Sequence, residues 1–186
     1  KGLGLNNAKS LMEISGEYVD LLKFGWGTSI LHNKNIIMEK ISMYKSFDII
    51  PFTGGTLFEI AYLKDKIEDV FIEAKNMGFE AIEISNGSTN MSEDEKLNFV
   101  KQAKEYDFFV LSEVGKKNVA KDKEISLEQR INSIKDEINA GSDLVIMEGR
   151  ESGKNIGIYD SNGELKLDLV DAIKSQVDVN KILWEA

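Results

Sequence analysis

Seven ionisable residues fall at or just beyond the ends of short apolar runs: Lys23, Glu83, Glu113, Lys117, Glu148, Arg150 and Glu185. Glycines and hydroxyl residues accompany them, in Gly25-Trp26-Gly27-Thr28-Ser29, Thr53-Gly54-Gly55-Thr56, Ser85-Asn86-Gly87-Ser88 and Gly149-Arg150-Glu151-Ser152-Gly153. Such a set serves three chemistries. The hard carboxylate oxygens of Glu83, Glu113, Glu148 and Glu185 suit Mg²⁺, which keeps waters and binds through a few carboxylates plus substrate oxygens. Arg150 offers a planar fork to a phosphate or carboxylate, and Gly54, Gly55, Gly149 and Gly153 let backbone N–H groups approach an anion. Lys23 and Lys117 could move a proton or stabilise charge, since a lysine in a closed cationic site can titrate near neutrality.

The elements that must position these residues form one repeated unit. Apolar runs at Val19–Phe24, Ile49–Phe52, Ala81–Ile84, Phe108–Leu111, Leu144–Met147 and Ile182–Trp184 recur roughly every 30 residues, the length of one βα unit. They are rich in Ile, Val, Leu and Phe and do not alternate, as expected of parallel strands covered on both faces. Between them the period becomes helical. Ser92 with Glu95, and Ser126 with Gln129, form capping boxes, while Gly78 and Gly141 are placed to end helices. Alternation of this kind predicts an α/β fold. A lone GxG after the first run is a weak nucleotide-fold signal, whereas functional side chains at every strand end are the pattern of a (β/α)8 TIM barrel. Six strands cannot close an eight-strand barrel. The expectation is therefore a single domain, 1–186, with the first strand and the last βα unit missing from this chain.

Composition narrows the function classes. Across 186 residues, apolar residues make up 42% and charged residues 30%, which fits a globular chain. A net charge of -9 disfavours nucleic acid or an anionic membrane as partner, although local cations can still hold a small anion. Without cysteine there is no disulfide, thiolate metal site or cysteine nucleophile. No apolar run approaches the ~20 residues of a spanning helix, and a cytoplasmic protein is expected.

Blander roles compete at each position. A strand-end glutamate can simply pair with a neighbouring cation, and Arg150 could bridge Glu148 and Glu151. His32 reads as solvent-exposed, Trp26 and Trp184 as packing residues near a barrel rim, and the charge run Lys116 to Glu124 as a loop that could also serve as a lid.

The segments KFGWGTS (Lys23–Ser29), GGTLFE (Gly54–Glu59), EISNG (Glu83–Gly87), SEVGKK (Ser112–Lys117), EGRESGKNIGIYD (Glu148–Asp160) and the terminal EA resemble those of phosphosulfolactate synthases, in order and in spacing. The resemblance implies a (β/α)8 barrel that adds sulfite to phosphoenolpyruvate with Mg²⁺, giving (2R)-phospho-3-sulfolactate on the way to coenzyme M or sulfolactate. It places the family's proposed general acid on Lys117. The assignment that follows has Lys117, Glu113 and Arg150 catalytic, with Glu83, Glu148 and Glu185 as metal ligands and Glu113 as a further candidate. Lys23, Gly54, Gly55, Thr56, Ser85, Arg150 and Ser152 would bind substrate. The expected partners are small anions and other copies of the chain. Two rivals stay open: a non-catalytic, stress-associated relative, and a Schiff-base aldolase using Lys117.

Overall fold

The computed structural model describes residues 2–150 and 153–185. It divides into two compact units, Lys1–Glu83 with Tyr106–Phe109, and Ile84–Glu105 with Val110–Ala186.

In the first unit the order is α1 (Leu5–Ser15), β1 (Leu21–Phe24), α2 (Thr28–Leu31), α3 (Lys34–Lys45), β2 (Ile50–Thr53), α4 (Gly55–Leu63), α5 (Ile67–Met77) and β3 (Ala81–Ile84), whose last residue passes into the second unit. β1, β2 and β3 pair in parallel, Phe24 opposite Thr53 and Thr53 opposite Ile82. The helices exist because their apolar residues return to one face: Ile37, Ile41 and Tyr44 are buried on α3, and Ile67, Phe71, Ala74 and Met77 on α5. Phe24 meets Tyr44 and Phe79 edge-on, at ring separations of 6.1 and 5.3 Å. Phe71 packs against Phe58 and Phe108 on the helical side.

The second unit runs α6 (Glu93–Glu105), β4 (Phe109–Val114), α7 (Val119–Lys123), α8 (Leu127–Ala140), β5 (Leu144–Met147), α9 (Leu167–Lys174) and β6 (Ile182–Trp184). β5 lies between β4 and β6, parallel to both. Val114, Ile131, Ile134, Val145, Met147, Ile158, Ile173 and Ile182 form its core, with Trp184 packed against them.

Both capping boxes form. Ser92 N–H donates to Glu95 Oε2 while Glu95 N–H donates to Ser92 Oγ, and Ser126 with Gln129 does the same at the start of α8. Gly78 and Gly141 end their helices in the left-handed region. Two sequence expectations change. The charge run Lys116 to Glu124 is not a bare loop: Asn118 caps α7 within it, and Asp122 is buried. Trp26, expected to pack near a barrel rim, keeps 52% of its surface exposed, at a φ of 57°. His32 is exposed, as its polar surroundings suggest. No helix among the described residues is long and apolar enough to cross a membrane.

Candidate functional site

Strand ends deliver carboxylates in both units, with different surroundings. In the first unit Glu83, 2% exposed, lies with Oε2 2.9 Å from Lys23 Nζ. Lys23 stands on β1 and Glu83 on β3, so the intervening β2 brings two strand ends into an ion pair. Gly54 follows β2 and packs against the Lys23 side chain; it is the N-cap of α4, whose first residues are Gly55 and Thr56. Gly54 donates its own N–H to the Phe24 carbonyl at 3.1 Å, and Gly55 and Thr56 begin the helix, whose dipole favours an anion.

The second unit gathers three more. Ligand oxygens of Glu113, Glu148 and Glu185 all lie within 4.8 Å of one another. Glu113 and Glu148 are buried, each 2% exposed, and Glu185 is half-buried. They come from the ends of β4, β5 and β6, three neighbouring parallel strands whose C-terminal ends lie side by side, and so the chain collects residues 72 positions apart in one place. Consecutive backbone N–H groups orient two of them. Gly149 N–H donates to Glu185 Oε2 at 3.0 Å, and Arg150 N–H donates to Glu148 Oε1 at 2.8 Å. Arg150 itself adopts a φ of 57°. The Tyr159 hydroxyl donates to the Glu185 carbonyl at 3.1 Å.

Lys117 completes this group. Its Nζ is 3.7 Å from Glu113 Oε1, and its backbone N–H donates to the Gly87 carbonyl. A Cβ at Gly87 would stand 3.1 Å from Glu113 Oε1 and 3.2 Å from Lys117 Cγ, so any side chain there would crowd both. Ser85, fully buried, directly follows β3, and the Asn86 carbonyl accepts Lys116 Nζ. The Glu113 backbone carbonyl accepts Lys96 Nζ, a buried ammonium from α6 that also meets Glu137 Oε1 at 2.6 Å.

The electrostatics follow from burial and crowding. Burial pushes the Glu148 carboxyl above its usual range, and the neighbouring Glu185 charge pushes the same way. The Arg150 N–H bond and the Lys117 charge oppose them. Three carboxylates this close in a poorly hydrated site repel strongly unless a proton or a cation lies among them. A divalent cation with oxygen ligands fits that donor set.

The whole chain, residues 1–186, matches the family model described as (2R)-phospho-3-sulfolactate synthase (ComA). The chain belongs to that family. Among phosphosulfolactate synthases, it is 46% identical over 186 residues to that of Methanothermobacter thermautotrophicus, 45% to that of Methanocaldococcus jannaschii and 38% to that of Bacillus subtilis. All of the chain is covered in each case, and 72%, 74% and 72% of the relatives' own lengths. A solved structure, the phospho-2-dehydro-3-deoxyheptonate aldolase (DAHP synthase) of Thermotoga maritima, is similar in fold with a TM-score of 0.53 at 15% identity. That likeness covers 95% of this chain and 46% of the aldolase, and shows the α/β fold alone. Membership in the phosphosulfolactate synthase family makes this an enzyme.

Within the family frame, Glu113, Glu148, Glu185 and Lys117 are brought together, with the Arg150 backbone, while Glu83 pairs with Lys23 in the first unit. Ser152 lies outside the described residues. Sequence reasoning missed Asp122, Arg130, Lys96 and Glu137, all 4% exposed or less. A charge on a helix reads as solvated, and only its place among apolar helix-face positions, as with Arg130 beside Ile131 and Ile134, hinted otherwise.

Proposed function

We propose that this family member adds sulfite to phosphoenolpyruvate, forming (2R)-phospho-3-sulfolactate, with Mg²⁺ held by Glu113, Glu148 and Glu185. The observation that carries the proposal is the buried carboxylate triad with the Lys117 ammonium at its edge. When bound, Mg²⁺ would supply positive charge opposite the substrate carboxylate.

The chain's own residues account for the rest. The sulfur lone pair of sulfite forms the new C–S bond at the methylene carbon, and the alkene electron pair moves toward C2. Lys117 donates its proton to C2 and regains one from the proton that bisulfite or water brings, so that atoms and charge balance. Glu113, with Oε1 3.7 Å from Lys117 Nζ, holds that ammonium in place until transfer. Two anions must meet, which demands cations to offset their repulsion. Lys23 with the Gly54, Gly55 and Thr56 helix start, and Arg150 with Ser85 and Ser152, are assigned to the phosphate and sulfite groups. Glu83 is assigned to holding Lys23 rather than metal. The same reading places the six parallel strands in a (β/α)8 barrel. Supporting it is the recurrence of a strand roughly every 30 residues, the length of one βα unit.

The test is phosphoenolpyruvate consumption by the full-length protein, followed with and without sulfite and Mg²⁺. Loss that requires both, with a sulfonated product by mass spectrometry, is expected. A borohydride-trapped adduct of a keto acid on Lys117, formed without metal, would instead establish the Schiff-base reading.

A further inference from the structure

One buried carboxylate ties the segment after β4 to the segment after β5. Asp122, on α7, is 4% exposed. Its Oδ1 accepts the Lys116 N–H at 3.0 Å and Arg130 Nη2 at 3.0 Å, and its Oδ2 accepts the Gly157 N–H at 2.9 Å. Each donor belongs to a different piece of the second unit. Lys116 immediately precedes Lys117, Arg130 rises from α8 with 3% exposure, and Gly157 lies beyond β5.

Gly157 itself is pressed against the site. Its φ is 51°, and a Cβ there would stand 2.1 Å from the Glu148 carbonyl oxygen. Its own carbonyl accepts Lys166 Nζ at 2.8 Å, and so both of its backbone polar groups end on charged side chains. A carboxylate that merely neutralised Arg130 would need one oxygen for the purpose. Asp122 spends its remaining capacity on two backbone N–H groups, one beside Lys117 and one against Glu148, through charge-assisted bonds that are strong and directional when buried.

We propose that Asp122 is a positioning residue for the reaction, fixing the Lys117 ammonium relative to Glu113, Glu148 and Glu185 by clamping the backbone beside Lys117 and Glu148. The proposal rests on the reading of Lys117 as the acid and of the three carboxylates as metal ligands. Because reaction rates fall steeply with small misplacements of a catalytic group, loss of the clamp registers in turnover rather than in substrate capture.

Asp122→Asn conserves size but replaces one acceptor oxygen with a donor, so that the Lys116, Arg130 and Gly157 donors cannot all be met. It also leaves Arg130 without a counter-charge, so Asp122→Asn/Arg130→Gln is made alongside. In whichever variant is folded by circular dichroism, kcat is expected to fall about tenfold to a hundredfold, with KM for phosphoenolpyruvate within about threefold of wild type. Amide exchange should quicken at Lys116 and Gly157 while β4 and β5 stay protected, and Mn²⁺ affinity should weaken.

A folded variant with kcat within about twofold of wild type well below its melting midpoint would overturn the proposal. So would activity loss that merely follows the unfolded fraction. Should neither variant fold, exchange in the wild-type protein decides: protection of both amides is required, and rapid exchange at either refutes the clamp. A wild-type enzyme without sulfite-dependent turnover would defeat the functional reading alone, since exchange and Mn²⁺ titration judge Asp122 without reference to the reaction.

Discussion

Glu148 stands under opposed influences: burial and the Glu185 charge favour its protonated form, and the Arg150 N–H and Lys117 favour the carboxylate. A side chain held in that balance is well suited to exchange a proton for a metal ion, because cation binding relieves the repulsion that burial amplifies. Glu148→Gln removes one anionic ligand and keeps the volume. Mn²⁺ affinity, titrated by paramagnetic resonance, should fall at least about tenfold; unchanged affinity would remove Glu148 from the ligand set. Lys117 makes a different prediction. Its Nζ lies 3.7 Å from Glu113 Oε1, and its side chain is 20% exposed, within reach of the substrate that the assignment requires it to protonate. Lys117→Ala should lower kcat by about a hundredfold to ten-thousandfold in protein that circular dichroism shows to be folded. Retention of most turnover would end its assignment as the acid.

Helices α6 and α8 meet through Lys96 and Glu137, 1% and 0% exposed, with the ammonium also holding the Glu113 carbonyl at the end of β4. Burial pushes the Glu137 carboxyl above its ordinary range, with the Lys96 charge opposing. Removing one partner strands the other in a dry interior. Lys96→Met should cost about 3–5 kcal/mol in chemical denaturation, whereas Lys96→Met/Glu137→Leu should recover most of that loss; equal losses in both would show that the pair is not the source. This brace marks a limit of sequence legibility. Ala81–Ile84, Leu144–Met147 and Ile182–Trp184 match β3, β5 and β6 because runs buried on both faces leave an unbroken apolar signature. Ser126 and Gln129 announced α8 because a capping box is local chemistry. Lys96, Asp122 and Arg130 stayed hidden, because a charge buried against a partner on another helix, 41 residues away for Lys96 and 8 for Arg130, looks in sequence like one in water. Of the site, Glu113, Lys117, Glu148 and Glu185 were legible as strand-end charges. That Glu83 would meet Lys23 depended on which strands became neighbours.

The chain as a whole carries a charge of -9, and three of its carboxylates converge in one buried place. That arrangement couples folding to pH and to metal with a definite sign. The folded pKa of Glu148 lies above its unfolded value, as does that of Glu137. Each such group contributes stability that is fully present below the ordinary carboxylate pKa, roughly 4.3 for glutamate, and is lost as pH rises through the raised folded value. A divalent cation binds the carboxylate form, so its stabilising effect must grow over the same interval. At about a hundred times its dissociation constant, Mg²⁺ should add about 2.7 kcal/mol, which in a domain of this size moves the melting midpoint by roughly 5–10 °C. Thermal melts with and without Mg²⁺ should show that increment near pH 7.5 and little of it near pH 5. In Glu148→Gln the increment at pH 7.5 should shrink, which separates the site from diffuse binding by an acidic surface. An increment equal at both pH values, or unchanged in Glu148→Gln, would mean that the metal acts elsewhere on the molecule.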